Sequence, residues 1–183
     1  ADVKNLFAKA AEAYGGKVDI LVNVVGGLVG RKLITEQDEK WYDFIMDVNM
    51  RSVFLCTREV VPMMPAGGSI VNFSSQAARD GGGPGASVYA TAKAAVMCHT
   101  RAMAKELGPQ GIRVNALAPG MINTSFHDRF TKPEARENLH HTAPLRREGN
   151  ASEVADLVCF LACDESSYIT GTNIDINGGV LFS

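Results

Sequence analysis

No apolar run in these 183 residues reaches the ~18 that a membrane span needs, and no secretory signal pattern opens the sequence. The expected setting is cytoplasmic, with no membrane partner. Cysteine is scarce: Cys56, Cys98, Cys159 and Cys163 form no Cys-x-x-Cys pair, so neither zinc nor a redox dithiol is indicated. Cys159 and Cys163 stand at helical spacing, and the four read as small buried hydrophobes in a reducing compartment. A surplus of one charge is missing too. The formal net charge is −2 and the pI ≈ 6.1, which argues against a nucleic-acid partner. His140 and His141 adjoin, and adjacent residues do not converge on one metal from a helix face, so they read as solvated loop histidines and no metal is expected. The glycines Gly26-Gly27-Leu28-Val29-Gly30 do not fit Gly-x-Gly-x-x-Gly, and the Arg31-Lys32-Leu33-Ile34-Thr35 that follows does not open a helix. Repeats and low-complexity segments are absent.

What is present is apolar and ordered in alternation. A hydrophobic content of 46% suits one globular domain, 1–183, with a sizeable core. Residues 2–14 have Val3, Leu6, Phe7, Ala10 and Ala11 at helical spacing, stopped by Gly15-Gly16. Val18 to Val25 has strand length. Thr35 or Asp38 can cap a long helix running to Val60 and ended by Pro62 and Pro65, with Asn49 inside it, where an Asn is intrinsically unfavourable. Strand 69–73, helix 87–107 and strand 111–118 follow. Residues 121–148 are polar with scattered apolar positions and prolines, the texture of a mobile substrate lid carrying short helices. Asn150 and Glu153 make a capping box for helix 151–163, and 169–175 is the last strand. The crossovers are long enough for parallel β-α-β units, so the fold class is α/β with a doubly wound parallel sheet.

The chemistry concentrates between Gly68 and Lys93. An apolar strand ends in Ser74-Ser75, a glycine-rich loop follows, and a helix carries Tyr89 and Lys93 one turn apart. An ammonium beside a phenol favours the phenolate and is expected to lower the tyrosine from its ordinary pKa of ~10 toward the range of a general acid/base. A serine hydroxyl from the strand end can hydrogen-bond the same substrate oxygen.

The neighbours in order are Asp47-Val48-Asn49 with Ser52-Val53-Phe54 upstream, and Asn115-Ala116-Leu117-Ala118-Pro119-Gly120 downstream. With Tyr89-x-x-x-Lys93 they resemble the short-chain dehydrogenase/reductase family over the whole chain. That resemblance implies a Rossmann-like fold and a catalytic tetrad of Asn49, Ser75, Tyr89 and Lys93. Ser74 competes with Ser75, but the second serine of the pair matches the family. Asn49 would lie at a kink holding a water that passes protons to the lysine. The implied cofactor is NAD or NADP, touched by Asn23, Gly26, Tyr89, Lys93, Pro119, Gly120, Ile122 and Thr124. Asn23-Val24-Val25-Gly26 departs from the family's Asn-Asn-Ala-Gly at its second position, which puts in doubt the side chain that braces the sheet. Fourteen residues separate Ser75 from Tyr89, one more than usual, which Gly81 to Gly85 can absorb.

By the family pattern the chain holds the C-terminal part of the fold, its first three strands and cofactor-cradling glycine turn being expected in something on the order of 70 residues ahead of Ala1. The family also implies a homodimer or homotetramer. The substrate is a small carbonyl compound or alcohol. Residues 27–31, 76–79, the glycine loop and 126–129 are placed to line its site. Arg31, Arg79, His127 and Arg129 would suit an anion, and Gly26 to Lys32 and Gly81 to Ala86 look like bacterial keto-uronate (4-deoxy-L-erythro-5-hexoseulose uronate) reductases. Two other readings stand: a family member acting on another substrate such as a 3-oxoacyl thioester, and a catalytically inactive fragment serving as an oligomerising scaffold.

Overall fold

The structure, a computed structural model, describes residues 2–182. Four parallel strands form its sheet in the order β1-β2-β3-β6: β1 (Ile20–Asn23), β2 (Ser69–Phe73), β3 (Arg113–Pro119) and β6 (Asn173–Ile176). A second pairing joins β4 (Ile122–Asn123) to β5 (Gly149–Asn150). The helices are α1 (Asp2–Ala13), α2 (Glu39–Met46), α3 (Ser52–Val60), α4 (Ala77–Asp80), α5 (Ser87–Leu107), α6 (Ser125–Phe130), α7 (Pro133–Thr142) and α8 (Ala151–Ala162).

β2 and β3 are buried along nearly their whole length, as strands covered on both faces must be. Alternation divides their side chains between two cores. Ile70 and Val114 face α1, α3 and α5 through Phe7, Val60, Ala104 and Leu107. Val71 and Leu117 face Val154 and Leu161 of α8. Each fully buried aliphatic side chain contributes about 1.5–3 kcal/mol. The doubly wound arrangement expected from the alternation is the one found.

Local differences from expectation have physical causes. The helix expected to run unbroken to Val60 is interrupted by a π-turn at Asp47–Arg51, where the Ser52 N–H reaches back to the Asp47 carbonyl. Asp38, not Thr35, caps α2, accepting the Trp41 N–H at 2.8 Å. The last strand starts at Asn173 rather than 169, because the preceding turn is held sideways: the Asn115 amide donates to Ile169 O, and Thr170 Oγ1 accepts the Val114 N–H. The Asn150–Glu153 box is present, with the Asn150 N–H donating to Glu153 at 2.7 Å. His140 and His141 lie in the last turn of α7, not in a loop, and His140 bonds the Arg146 carbonyl across the turn. Cys98, Cys159 and Cys163 are exposed rather than buried, since the first two fall on the outer faces of α5 and α8 and Cys163 lies in the extended cap that ends α8.

Candidate active site at the carboxyl ends of the strands

In parallel α/β sheets ligands bind beyond the carboxyl ends of the strands. Asn23, Phe73 to Ser75 and Pro119-Gly120 all come to that edge. α5 delivers Tyr89 and Lys93 to it on one face, with the Lys93 ammonium 6.0 Å from the centre of the Tyr89 ring.

Lys93 is buried, and among the described residues its ammonium donates to one acceptor, the Phe73 carbonyl at 2.9 Å. Loss of hydration lowers its pKa to about 8. The same burial raises Tyr89 above the ordinary phenol value, and a hydrogen bond from the Ser75 side chain opposes that rise. This corrects the expectation of a lowered tyrosine. Desolvation acts on both partners and outweighs the attraction of an ammonium held 6.0 Å from the ring. At neutral pH the pair is therefore a protonated phenol beside an ammonium, the state of a proton donor.

The two serines are used differently. Ser74 is buried, and its hydroxyl donates to the Lys93 carbonyl at 3.0 Å. Ser75 Oγ accepts the Ala77 N–H at 3.2 Å, which leaves its proton for another acceptor. The π-turn buries Asn49 completely. Its amide accepts the Gly27 N–H and donates to the carbonyls of Gly27 and Ile45, each at 2.9 Å. Asn49 thus pins the turn after β1 against the kinked helix. Gly26 sits over both groups with φ of 148°, and a Cβ there would lie 2.7 Å from Asn49 Oδ1 and 2.8 Å from Lys93 Nζ. Only glycine fits.

The residues expected at the cofactor are not all available through their side chains. Asn23 donates to Asn72 at 2.8 Å, Asn72 to Thr100 at 3.0 Å, and Thr100 to the Val96 carbonyl at 2.9 Å. This buried chain ties β1 and β2 to α5, so Asn23 braces the sheet and only its backbone remains for a ligand. Asn72 was not singled out in the sequence, since an Asn inside an apolar strand carries no signal of its own. Ile122 packs into the α8 core, so it too offers only backbone. Pro119 O accepts the Gln76 N–H and Gly120 N–H donates to Ile176 O, each at 3.0 Å, which locks this turn to the strand ends. Thr124 leads into α6 with its hydroxyl on Ile122 O at 3.3 Å.

α6 lies over the site. Phe126 stands 6.2 Å from the Tyr89 ring and 5.2 Å from Phe130, so the apolar cover extends one residue beyond the expected 126–129. An i, i+4 aromatic pair in a polar stretch was the available signal. Outside the cover, Arg136 of α7 joins Asp128 of α6 to Glu148. Of the cationic groups expected to face an anion, Arg79 is paired with Asp175 at 2.8 Å. Burial holds His127 below its usual pKa and therefore neutral. Among the described residues no cluster of three or more His, Cys, Asp or Glu is placed to hold a metal ion, and no helix is long and apolar enough to cross a membrane.

Residues 1–181 match the family model described as enoyl-(acyl carrier protein) reductase. The chain is 42% identical over 181 residues to the 3-oxoacyl-[acyl-carrier-protein] reductase FabG of Thermotoga maritima, covering 98% of this chain and 72% of that protein. Among solved structures it superposes with a TM-score of 0.93 on a short-chain dehydrogenase/reductase from Brucella melitensis, at 30% identity over 100% of this chain and 72% of that one. A TM-score of 0.88 relates it to an NADH-dependent reductase responsible for alginate metabolism, at 32% identity over 99% and 72% of the two chains. The chain belongs to the short-chain dehydrogenase/reductase family of NAD(P)-dependent oxidoreductases.

Proposed function

We propose that this protein reduces a ketone on a small substrate, with 3-oxoacyl thioesters as the substrate class. The observation that carries the chemistry is the pair of opposite needs at one spot: a buried ammonium with a single carbonyl acceptor, and a neutral phenol beside it. Lys93 fits a ribose, because its remaining N–H donors have no acceptor among the described residues and hydroxyl oxygens would take them. Gly26 fits the same group by leaving the backbone bare next to that ammonium. Lys93, the backbone at Asn23 and Gly26, the Pro119-Gly120 turn, Ile122 through its main chain and Thr124 would hold the dinucleotide. When bound, its nicotinamide supplies the hydride.

Tyr89 gives its proton to the carbonyl oxygen, and the phenolate left behind is stabilised by the Lys93 ammonium. Ser75 donates a hydrogen bond to the same oxygen and polarises the carbonyl beforehand. Asn49 acts by position, holding the Gly27 turn and the kink from which protons are returned to Lys93. Residues 121–148 serve as the substrate lid, with Phe126 keeping water from Tyr89. The likeness to FabG and the apolar cover favour the thioester class. A keto sugar acid is the second reading, favoured by the likeness to the alginate-metabolism reductase. Exposed Phe44 and Phe54 on the outer faces of α2 and α3 support a homodimer or homotetramer built through these helices.

A substrate panel with NADH and NADPH, covering 3-oxoacyl thioesters, keto-uronates and neutral sugars, tests the reading. Tyr89→Phe should cut turnover roughly 100- to 10,000-fold with the circular dichroism spectrum unchanged. Undiminished turnover in that variant would overturn the mechanism. No turnover, with no cofactor binding by fluorescence titration, would favour an oligomerising scaffold instead.

A further inference from the structure

Arg31 has no counterion. Its guanidinium donates to two main-chain carbonyls, Pro84 O at 3.0 Å and, by a longer contact, Phe130 O at 3.4 Å, and among the described residues no carboxylate pairs with it. Three other cations near the site are committed elsewhere, whereas Arg129, exposed on α6, has no ion pair and no hydrogen-bonded seat among the described residues. Arg79 is neutralised by Asp175, Lys93 is buried behind the phenol, and Lys32 lies 4.5 Å over the Trp41 ring.

The surroundings are shaped to seat Arg31. A Cβ at Gly83 would lie 3.3 Å from its Nη1, and one at Gly85 would lie 3.0 Å from its own Cβ and from the Lys32 nitrogen. The loop leading into α5 is thus stripped of side chains where the arginine crosses it. The Lys32 N–H donates to Gly85 O at 3.2 Å, four residues before Tyr89, which fixes the crossing point. On the far side Phe130 belongs to the aromatic cover on Tyr89. An exposed guanidinium therefore bridges the loop before α5 and the end of α6, the two segments that flank Tyr89, held only by neutral oxygens. Carbonyl acceptors position an arginine without cancelling its charge, and an anionic oxygen binds its planar fork more strongly than they do.

We propose that Arg31 recognises an anionic group that the substrate carries beyond its ketone, a carboxylate or a phosphate ester, by exchanging carbonyl partners for the anion. The inference rests on the ketone-reductase reading and adds to it a charged handle on the substrate. It makes Arg31 a specificity-determining residue, distinct from the groups that move the proton.

Two matched pairs test it on the protein with NADH and NADPH: a 3-oxo acid against its methyl ester, and a 3-oxoacyl pantetheine against the same thioester bearing the terminal phosphate. The native protein should show a KM lower for the charged member of at least one pair. In Arg31→Gln that preference should fall by about 10- to 100-fold, the loss expected for a charge-assisted hydrogen bond, and Arg31→Lys should restore part of it. The effect should sit in KM rather than in kcat. Preference confined to the acid pair assigns a carboxylate, and preference confined to the thioester pair assigns the phosphate. Equal losses on charged and neutral members in Arg31→Gln, or no preference in the native protein, would overturn the proposal.

Calorimetric titration of the 3-hydroxy counterparts of both pairs, acid against methyl ester and phosphorylated against unphosphorylated pantetheine thioester, decides the point without turnover. Weaker binding of the charged member alone in Arg31→Gln, in either pair, supports the anion contact even if the panel shows no reduction. An unchanged ratio in both pairs refutes it.

Discussion

A phenol and an ammonium taken out of water together each move toward the neutral form, and this decides the pH behaviour of the site. Lys93 ordinarily keeps its proton to pH 10.5 and here holds it only to about 8. Above that pH the ammonium that stabilises the Tyr89 phenolate is lost, so kcat/KM for reduction should fall with a midpoint near 8. Lys93→Arg, which keeps its charge, should remove that midpoint from the profile; a profile flat to pH 10 in the native protein would contradict the assignment. Stability moves the other way. The folded pKa lies below the unfolded one, so the cost of the buried charge is present in full below about 8 and is relieved as pH rises from there toward 10.5. Tyr-x-x-x-Lys spacing was legible as a shared helix face because 3.6 residues complete a turn. The direction of the tyrosine shift was not, because burial is a property of the packed molecule.

At the scale of elements, two features matter most. The π-turn at Asp47–Arg51 turns Asn49 inward, where its amide holds the turn after β1. The sequence showed an Asn at an awkward place in a helix, whereas the partner lies 22 residues away and is visible only in the fold. Arg113 is the second. This buried side chain on β3 donates to Leu161 O at 2.9 Å, Ser166 Oγ at 2.8 Å and Cys163 O at 3.0 Å, and so closes the carbonyl end of α8. Arg113→Met is expected to cost roughly 3 kcal/mol, since it removes three charge-assisted hydrogen bonds and leaves Leu161 O to the Ser69 and Ser166 hydroxyls and Cys163 O to Ser166. Urea denaturation checks this, and a loss within 0.5 kcal/mol would show that water replaces the guanidinium.

For the whole molecule, the sheet ends at β1, which pairs with β2 and, among the described residues, presents an open edge. Ile20 on it is 48% exposed, and Val24 and Val25 just beyond are 58% and 65% exposed. An uncovered apolar edge is a template for pairing. The 183-residue chain by itself should therefore self-associate in a concentration-dependent way, and Ile20→Lys should suppress this in sedimentation velocity. If association persists in that variant but is lost in Phe54→Lys, the helical face carrying Phe44 and Phe54 is the interface instead.

By itself the sequence determined the alternation of helices and strands, the parallel sheet, the capping box at Asn150 and the helix bearing Tyr89 and Lys93. Periodicity, glycine stops and capping side chains act within a few residues of one another, so they can be read along the chain. Only the tertiary structure decided that Asn23 braces the sheet, that Arg79 is neutralised while Arg31 is not, and that burial raises Tyr89. Each of these depends on which groups distant in sequence meet, and on how much water their meeting removes.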